Sequence, residues 1–330
     1  MVTDDLRPGT RTAALVKAAV LGGTAPSIHN SQPWRWRVGP DALDLLLERS
    51  RLLTSADPGA RLAVLSCGAA LHHARLELAA SGWTADVERD PAEAGDHLAR
   101  IRLGARTEPD GSAARLVRAT LRRRTDRRTR PGAPLDHDKL RTIAAAVRRE
   151  QALLTLLRPR QTFLLTAAVE QALRVEGSDP AWQIEVAHWI GGERRAGTGI
   201  PSGAFPAEPL RPAAGRPALR PAGFALIRDI RDHAAVLAVL STTADARPEL
   251  LRAGEALSAG WLTATDIDVS VLPLSIVVEV AGSRAIVRDL IGGLGHPHLV
   301  LRFAAGRPDR SLPRSPRLPA AATIEHTATP

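Results

Sequence analysis

The strongest constraint on the fold is a run of small residues inside a long helical stretch. From residue 61 to 82 the sequence RLAVLSCGAALHHARLELAASG continues without a break, and its centre is Ser66-Cys67-Gly68-Ala69-Ala70. Small side chains let a second element approach a helix closely, so this segment predicts the central buried helix of the molecule. Asp57-Pro58 just ahead reads as an N-cap followed by proline in the first helical position. A second long helix, about residues 231–262, is expected to mirror it.

The remaining elements group around these two helices. A helix over 10–23 ends at Gly22-Gly23. WRWRV (34–38) and LDLLLE (43–48), split by Gly39-Pro40-Asp41, read as a β-hairpin. Strands around 83–88 and 98–104 complete a first unit, residues 1–108. The second unit, 109–330, opens with a helix over 112–123, the basic segment RRTDRRTR, a helix over 136–150 and a strand over 152–157. Helices at about 160–175 and 180–191 follow. Residues 193–222 are dense in Gly, Pro, Arg and Ala without hydrophobic periodicity, which marks a functional flap or a disordered stretch. FALIRD (224–229) reads as a strand before the mirrored helix. A strand-like segment before Pro273, a helix over 283–293, a strand over 298–304 and a Pro/Arg-rich tail close the chain. The two units share a similar order of elements, which predicts an α+β fold of two duplicated repeats.

Composition narrows the function classes. With 330 residues and 44% hydrophobic content, the chain can bury one large core or two ordinary ones. It has no apolar run of membrane-spanning length, and its start, MVTDDLRPGTRTAALVKAAV, is acidic before it is apolar. The single cysteine, Cys67, excludes an internal disulfide framework and fits a reducing cytoplasm. A net charge of +9 invites a nucleic-acid reading. However, the charge is almost entirely arginine, tyrosine is absent, and only WRWR (34–37) interleaves aromatics with cations. That pattern fits the codon bias of a GC-rich genome. Neither nucleic acid nor membrane is expected as a partner.

Chemistry concentrates in Ala25-Pro26-Ser27-Ile28-His29-Asn30-Ser31-Gln32-Pro33-Trp34. Two prolines and several short polar side chains make a rigid helix-to-strand loop. Such a loop either satisfies its own backbone or presents donors and acceptors to a ligand edge, for example the pyrimidine edge of a flavin.

APSIHNSQPWRW closely resembles the PSxxNxQPW signature of the nitroreductase superfamily, whose members bind FMN. Asp57-Pro58, the SCGAAL helix and the ending Gly295, Pro297, Leu299, Leu301 and Arg302 resemble its actinobacterial Acg-type subgroup. The resemblance implies a cofactor site that includes Pro26, Ser27, Asn30 and Gln32. Ordinary members are homodimers whose RxSxR phosphate motif precedes that loop. Here Arg123-Arg124-Thr125-Asp126-Arg127 fits the motif and lies in the second unit, which lacks a serine loop of its own. One motif per repeat implies a fused pseudo-dimer with one FMN site. Arg123 and Thr125 would meet the phosphate, for which a guanidinium and a hydroxyl are suited. By the resemblance, Arg127 would reach the N1/O2 edge of the ring. Pro273, Leu274 and Ser275 would form the loop over the flavin face, with the Ser275 N–H toward N5. Arg317 would be a second phosphate arginine, with Arg314 competing.

The activity so implied is hydride transfer from NAD(P)H to FMN and on to a small-molecule acceptor, in a monomeric pseudo-dimer or a homodimer. The alternative is an FMN store, shut by the 193–222 segment, which resembles the subgroup's lid; a third reading is flavin destruction or other specialised flavin chemistry. No acid–base residue is assigned. His296 and His298 lack a third ligand, so no metal site is expected. Cys67 reads as packing rather than a nucleophile. Gly292-Gly293-Leu294-Gly295 lacks the strand that a dinucleotide fingerprint needs.

Overall fold

The computed structural model describes residues 10–91, 95–127, 133–190, 196–201, 204, 234–306 and 314–327. Helix α1 (Arg11–Gly22) starts at Thr10, whose side chain accepts a hydrogen bond from the Ala13 N–H, and buries Leu15, Ala18 and Ala19. Strands β1 (Trp34–Val38) and β2 (Ala42–Leu47) then pair as an antiparallel hairpin. Alternation sets the faces of β1. Trp34, Trp36 and Val38 point into the core, whereas Arg35 and Arg37 point outward.

Helix α2 (Arg61–Ala80) leads to β3 (Trp83–Arg89) and β4 (His97–Arg106), which join the hairpin in one sheet. Helices α3 (Gly111–Arg122) and α4 (His137–Arg149) carry the chain to β5 (Leu153–Leu156), α5 (Pro159–Gly177) and α6 (Pro180–Trp189). After them come β6 (Val236–Thr242), α7 (Arg247–Asp266), β7 (Val269–Leu274), the short α8 (Ile276–Glu279), α9 (Ala281–Leu290), β8 (His296–Ala305) and β9 (Ile324–His326). The first sheet has the order β3-β4-β2-β1-β9 and the second β5-β6-β8-β7. Every pairing is antiparallel except that of β1 with β9. Each sheet has its own apolar core, and α2 and α7 pack together between them.

The small residues act where these two helices cross. A β-carbon on Gly68 would overlap the Leu251 carbonyl, and one on Gly254 would overlap the Leu65 carbonyl. Polar groups fix the crossing: His72 Nδ1 lies 2.9 Å from Ser258 Oγ, and the fully buried Glu255 pairs with Arg75 at 2.6 Å and Arg89 at 2.7 Å. Satisfied on several sides, a buried carboxylate of this kind holds its neighbours in register.

Two expectations are corrected. Helix α2 starts at Arg61, with Ala60 in the left-handed region (φ 52°) as its N-cap. Asp57 caps from outside, its carboxylate accepting the Ala63 N–H at 2.9 Å. The stretch expected as one helix over 231–262 is β6 followed by α7. Its first part is an apolar run in a central strand, which periodicity does not separate from a buried helix, and Pro248 stands in the first turn of α7. FALIRD (224–229) lies outside the described residues, as does most of 193–222 beyond 196–201 and Ala204. The tail adds β9, which sequence reading did not assign; the Trp36 N–H donates to the Thr323 carbonyl at 2.7 Å, and Arg37 pairs with Glu325 at 2.8 Å. Among the described residues no helix is long and apolar enough to cross a membrane.

Candidate functional site

A cavity of about 180 Å³ opens between the 24–33 loop, α2, α6, α7 and the end of β7. Of the eleven residues singled out from sequence, Pro26, Ser27, Asn30, Arg123, Thr125, Arg127, Pro273, Leu274, Ser275 and Arg317 line it. Gln32 does not. Its carboxamide turns away, donating to the Gly197 carbonyl at 2.7 Å and accepting the Leu318 N–H at 3.0 Å. In this structure Gln32 clamps the loop to the 196–201 segment and the tail.

The loop is held under backbone strain. His29, Asn30 and Gln32 have φ values of 43°, 57° and 53°, a region that disfavours side chains. Compensating bonds fix it: Ser27 Oγ accepts the Gln32 N–H at 3.0 Å, and Ser66 Oγ accepts the Ile28 N–H at 3.1 Å. The Asn30 amide donates to the carbonyls of Gly199 (3.0 Å) and Pro316 (2.9 Å), while its oxygen accepts from Arg317 at 2.9 Å. Asn30 thus organises the wall around it.

The cationic part of the site is built by the segment after α3. Thr125 bridges in parallel to Val271 of β7, which sets Arg123 and Arg127 beside that strand's exit. Arg123 is buried, its guanidinium 4.7 Å from the centre of the Trp261 ring on α7. Arg317 donates to the carbonyls of Thr24 (3.1 Å) and Ala25 (3.0 Å). Among the described residues no carboxylate pairs with Arg123 or Arg317, and the Nε atoms of both lack a partner. Burial, then the charges of Arg317 and Arg124, bring the Arg123 guanidinium down to about 9. Burial brings Arg127 down to about 10; Arg317 reaches the same value through burial and then Arg124 and Arg314. Arg123 and Arg317 are destabilised by neighbouring guanidinium groups and Arg127 by burial, and an anion would relieve all three. A smaller pocket, lined by Arg123, Arg124, Thr125, Arg127, Arg314 and Arg317 among others, adjoins the cavity there. Arg314 spends one guanidinium contact on the Leu121 carbonyl.

The helices contribute an apolar section of wall, with Leu62 and Leu65 of α2, Trp182 and Val186 of α6, and Leu257 and Trp261 of α7. A site with apolar wall sections beside a cationic group suits a planar ring that carries a phosphate. Sequence reading missed the contribution of α6. Trp182, Val186 and Ile190 recur at four-residue spacing, which signals a packed face without saying that the face borders a cavity. It also missed a carboxyl pair. Glu279 of α8 stands on the cavity wall beside Ser275, and Glu176 of α5 lies next to it. Burial raises both carboxyls well above the usual range, and the Glu279 charge raises Glu176 further.

Comparison with known proteins decides the family. A Mycobacterium tuberculosis protein provisionally named NAD(P)H nitroreductase Rv3131 is 39% identical over 295 residues, covering 86% of this chain and 82% of that one. The chain belongs to the nitroreductase family. A second M. tuberculosis relative, likewise provisionally named NAD(P)H nitroreductase acg, is 34% identical over 325 residues, covering 93% and 94%. Rv3127 of the same organism, which bears no functional name, is 30% identical over 324 residues, covering 96% and 94%. Among solved structures, the FMN-dependent nitroreductase NfnB from Mycobacterium smegmatis in complex with NADPH is 15% identical. It covers 66% of this chain and 100% of that one, with a TM-score of 0.43, a likeness that carries no weight beside the sequence relatives. No protein-family model matches the chain.

Proposed function

We propose that this nitroreductase-family chain is an FMN-dependent oxidoreductase that takes hydride from NAD(P)H and passes it to a small acceptor. The observation that carries the reading is the group of Arg123, Arg127 and Arg317 on one side of a cavity with large apolar wall sections, where Arg123 and Arg317 have no carboxylate partner among the described residues. A phosphate dianion answers that charge, and the apolar walls answer a ring system. In this reading Arg123, Thr125 and Arg317 hold the phosphate. Arg127 faces the ring edge on which reduction places negative charge. Pro26, Ser27 and the Pro273-Leu274-Ser275 turn border the ring, and Asn30 shapes the wall through the contacts described above. Bound there, FMN would supply the two-electron hydride chemistry; the protein contributes binding, orientation and charge.

The serine loop comes from residues 1–108 and the arginine motif from 109–330, so the two units of a fused pair enclose one site. One FMN per chain is the expected ratio. Visible flavin absorbance against protein concentration tests it, and two flavins per chain would overturn the fused-pair reading.

One observation favours the store instead. Gly199 N–H donates to the Asn30 carbonyl at 3.1 Å, Ile200 N–H donates to the Trp189 carbonyl at 2.9 Å, and Ile200 lines the cavity. The segment 196–201 is thus fastened across one wall. Anaerobic addition of NADPH to the yellow protein separates the readings: prompt bleaching supports the enzyme, and absence of bleaching supports the store.

A further inference from the structure

The Glu176–Glu279 pair is placed where neither packing nor phosphate binding explains it. Glu279 is half-buried and lies on the wall shared by the cavity and a smaller pocket lined by Asp57, Arg61, Arg284 and His298, among others. The cavity wall on which it lies also includes the apolar Leu62, Leu65 and Ile276. The groups that face the Glu279 carboxyl are Ser275, Glu176 of α5, Asp57 and Trp182 of α6. Among the described residues no cation answers the pair. The nearby guanidinium groups of Arg61 and Arg284 are both taken by Asp245, at 2.5 and 2.6 Å. His298 is held neutral, its pKa brought down to about 3 mainly by burial, and its Nε2 lies 2.5 Å from Thr242 Oγ1. Beside a buried carboxyl, the half-buried Glu279 resists ionisation, and the pair retains a proton to higher pH than a lone surface glutamate.

We propose that Glu279 is the proton donor of the cavity, sharing its proton with Glu176 and recovering it from solvent through the pocket behind it. The proposal rests on the flavin reading of the cavity. Reduction of an organic acceptor such as a quinone consumes one hydride equivalent, which originates on NAD(P)H, and one proton. The Glu279 O–H bond breaks as an O–H bond forms on the quinone oxygen, and the products are hydroquinone, NAD(P)⁺ and the Glu279 carboxylate. A solvent proton then restores the carboxyl.

The test compares 1,4-benzoquinone, whose reduction needs that proton, with ferricyanide, which takes electrons alone. With NADPH as donor, Glu279→Gln should lower the ratio of quinone to ferricyanide kcat about 100-fold, within the usual range for a general acid. In the parent, quinone kcat should fall as pH rises through neutrality while ferricyanide kcat does not. An unchanged ratio in the variant, or the same pH dependence for both acceptors, would overturn the proposal. The flavin-free chain gives a second readout. A carboxyl raised in the folded state binds more protons there than in the unfolded chain. Stability is therefore lost as pH rises from the unfolded value through the folded one. The urea midpoint of the parent should decline across that window, and both Glu279→Gln and Glu176→Gln should flatten the decline. A decline identical in parent and variants would count against the pair. Parent protein that binds no FMN would sink the flavin reading, while the stability measurement would still report on the carboxyls.

Discussion

Arg123 combines three costs: burial, the repulsion of Arg124 and Arg317, and an Nε without a partner. Stacking on Trp261 offsets part of this, because an indole face attracts a cation. The rest is what a phosphate would relieve. Arg123→Ala should weaken FMN binding by about 1.5–3 kcal/mol, the range for hydrogen bonds to charged groups. Riboflavin, which lacks the phosphate, should bind parent and variant alike in a fluorescence titration. Equal losses for both ligands would assign Arg123 to folding. At this scale the sequence was legible where residue type and local spacing carry the chemistry, as in Pro26-Ser27 and Arg123-Arg124-Thr125. It was illegible where chemistry comes from chain crossing: Glu176 and Glu279 meet only because α5 packs against α8. Gln32 belongs to the same class, since nothing local says that its carboxamide turns toward Leu318.

Among elements, the α2–α7 crossing is the most demanding contact, because each helix puts a glycine against a backbone carbonyl of the other. A carbonyl in a helix cannot move aside as a side chain can. Gly254→Ala should therefore cost about 1–3 kcal/mol, the usual penalty for overfilling a packed core. Gly111→Ala is the control. Gly111 opens α3, nothing lies within 4 Å of the added β-carbon, and its φ is ordinary, so the change should be neutral or stabilise by up to about 1 kcal/mol. Urea unfolding of both variants checks the pair, and equal effects would refute the tight crossing. The small-residue run made α2 readable as a central helix before any coordinates. Its partner was misplaced because β6, apolar and central in its sheet, lacks the polar alternation that marks a half-exposed strand. Strand β9 is three residues long and gains its identity only by pairing with β1.

For the whole molecule, the choice between enzyme and store turns on how the 196–201 segment is fastened. Gly197 has φ 94° and Gly199 φ 71°, backbone conformations that glycine adopts without cost. A β-carbon on Gly197 would sit 2.7 Å from the Arg317 carbonyl, and the Gly197 and Gly199 carbonyls accept from Gln32 and Asn30. These glycines permit close packing against the loop and the tail as well as bending. If the segment opens during turnover, those bonds must break and re-form, at a net cost of about 0.5–1.5 kcal/mol each, which is small enough for rapid opening. Replacing residues 200–215 with a short Gly/Ser linker removes Ile200 from the cavity wall and leaves Arg123, Thr125 and Arg317 in place, so FMN should remain bound. In an enzyme with a mobile segment, anaerobic reduction of the parent by NAD(P)H is already fast, and the deletion mainly changes the KM of the acceptor. In a store, reduction is negligible in the parent and appears only after the deletion. Stopped-flow absorbance of the flavin band in both proteins distinguishes the two outcomes. If neither form is reduced while the flavin stays bound, both accounts of the segment fail and the electron donor is not a nicotinamide.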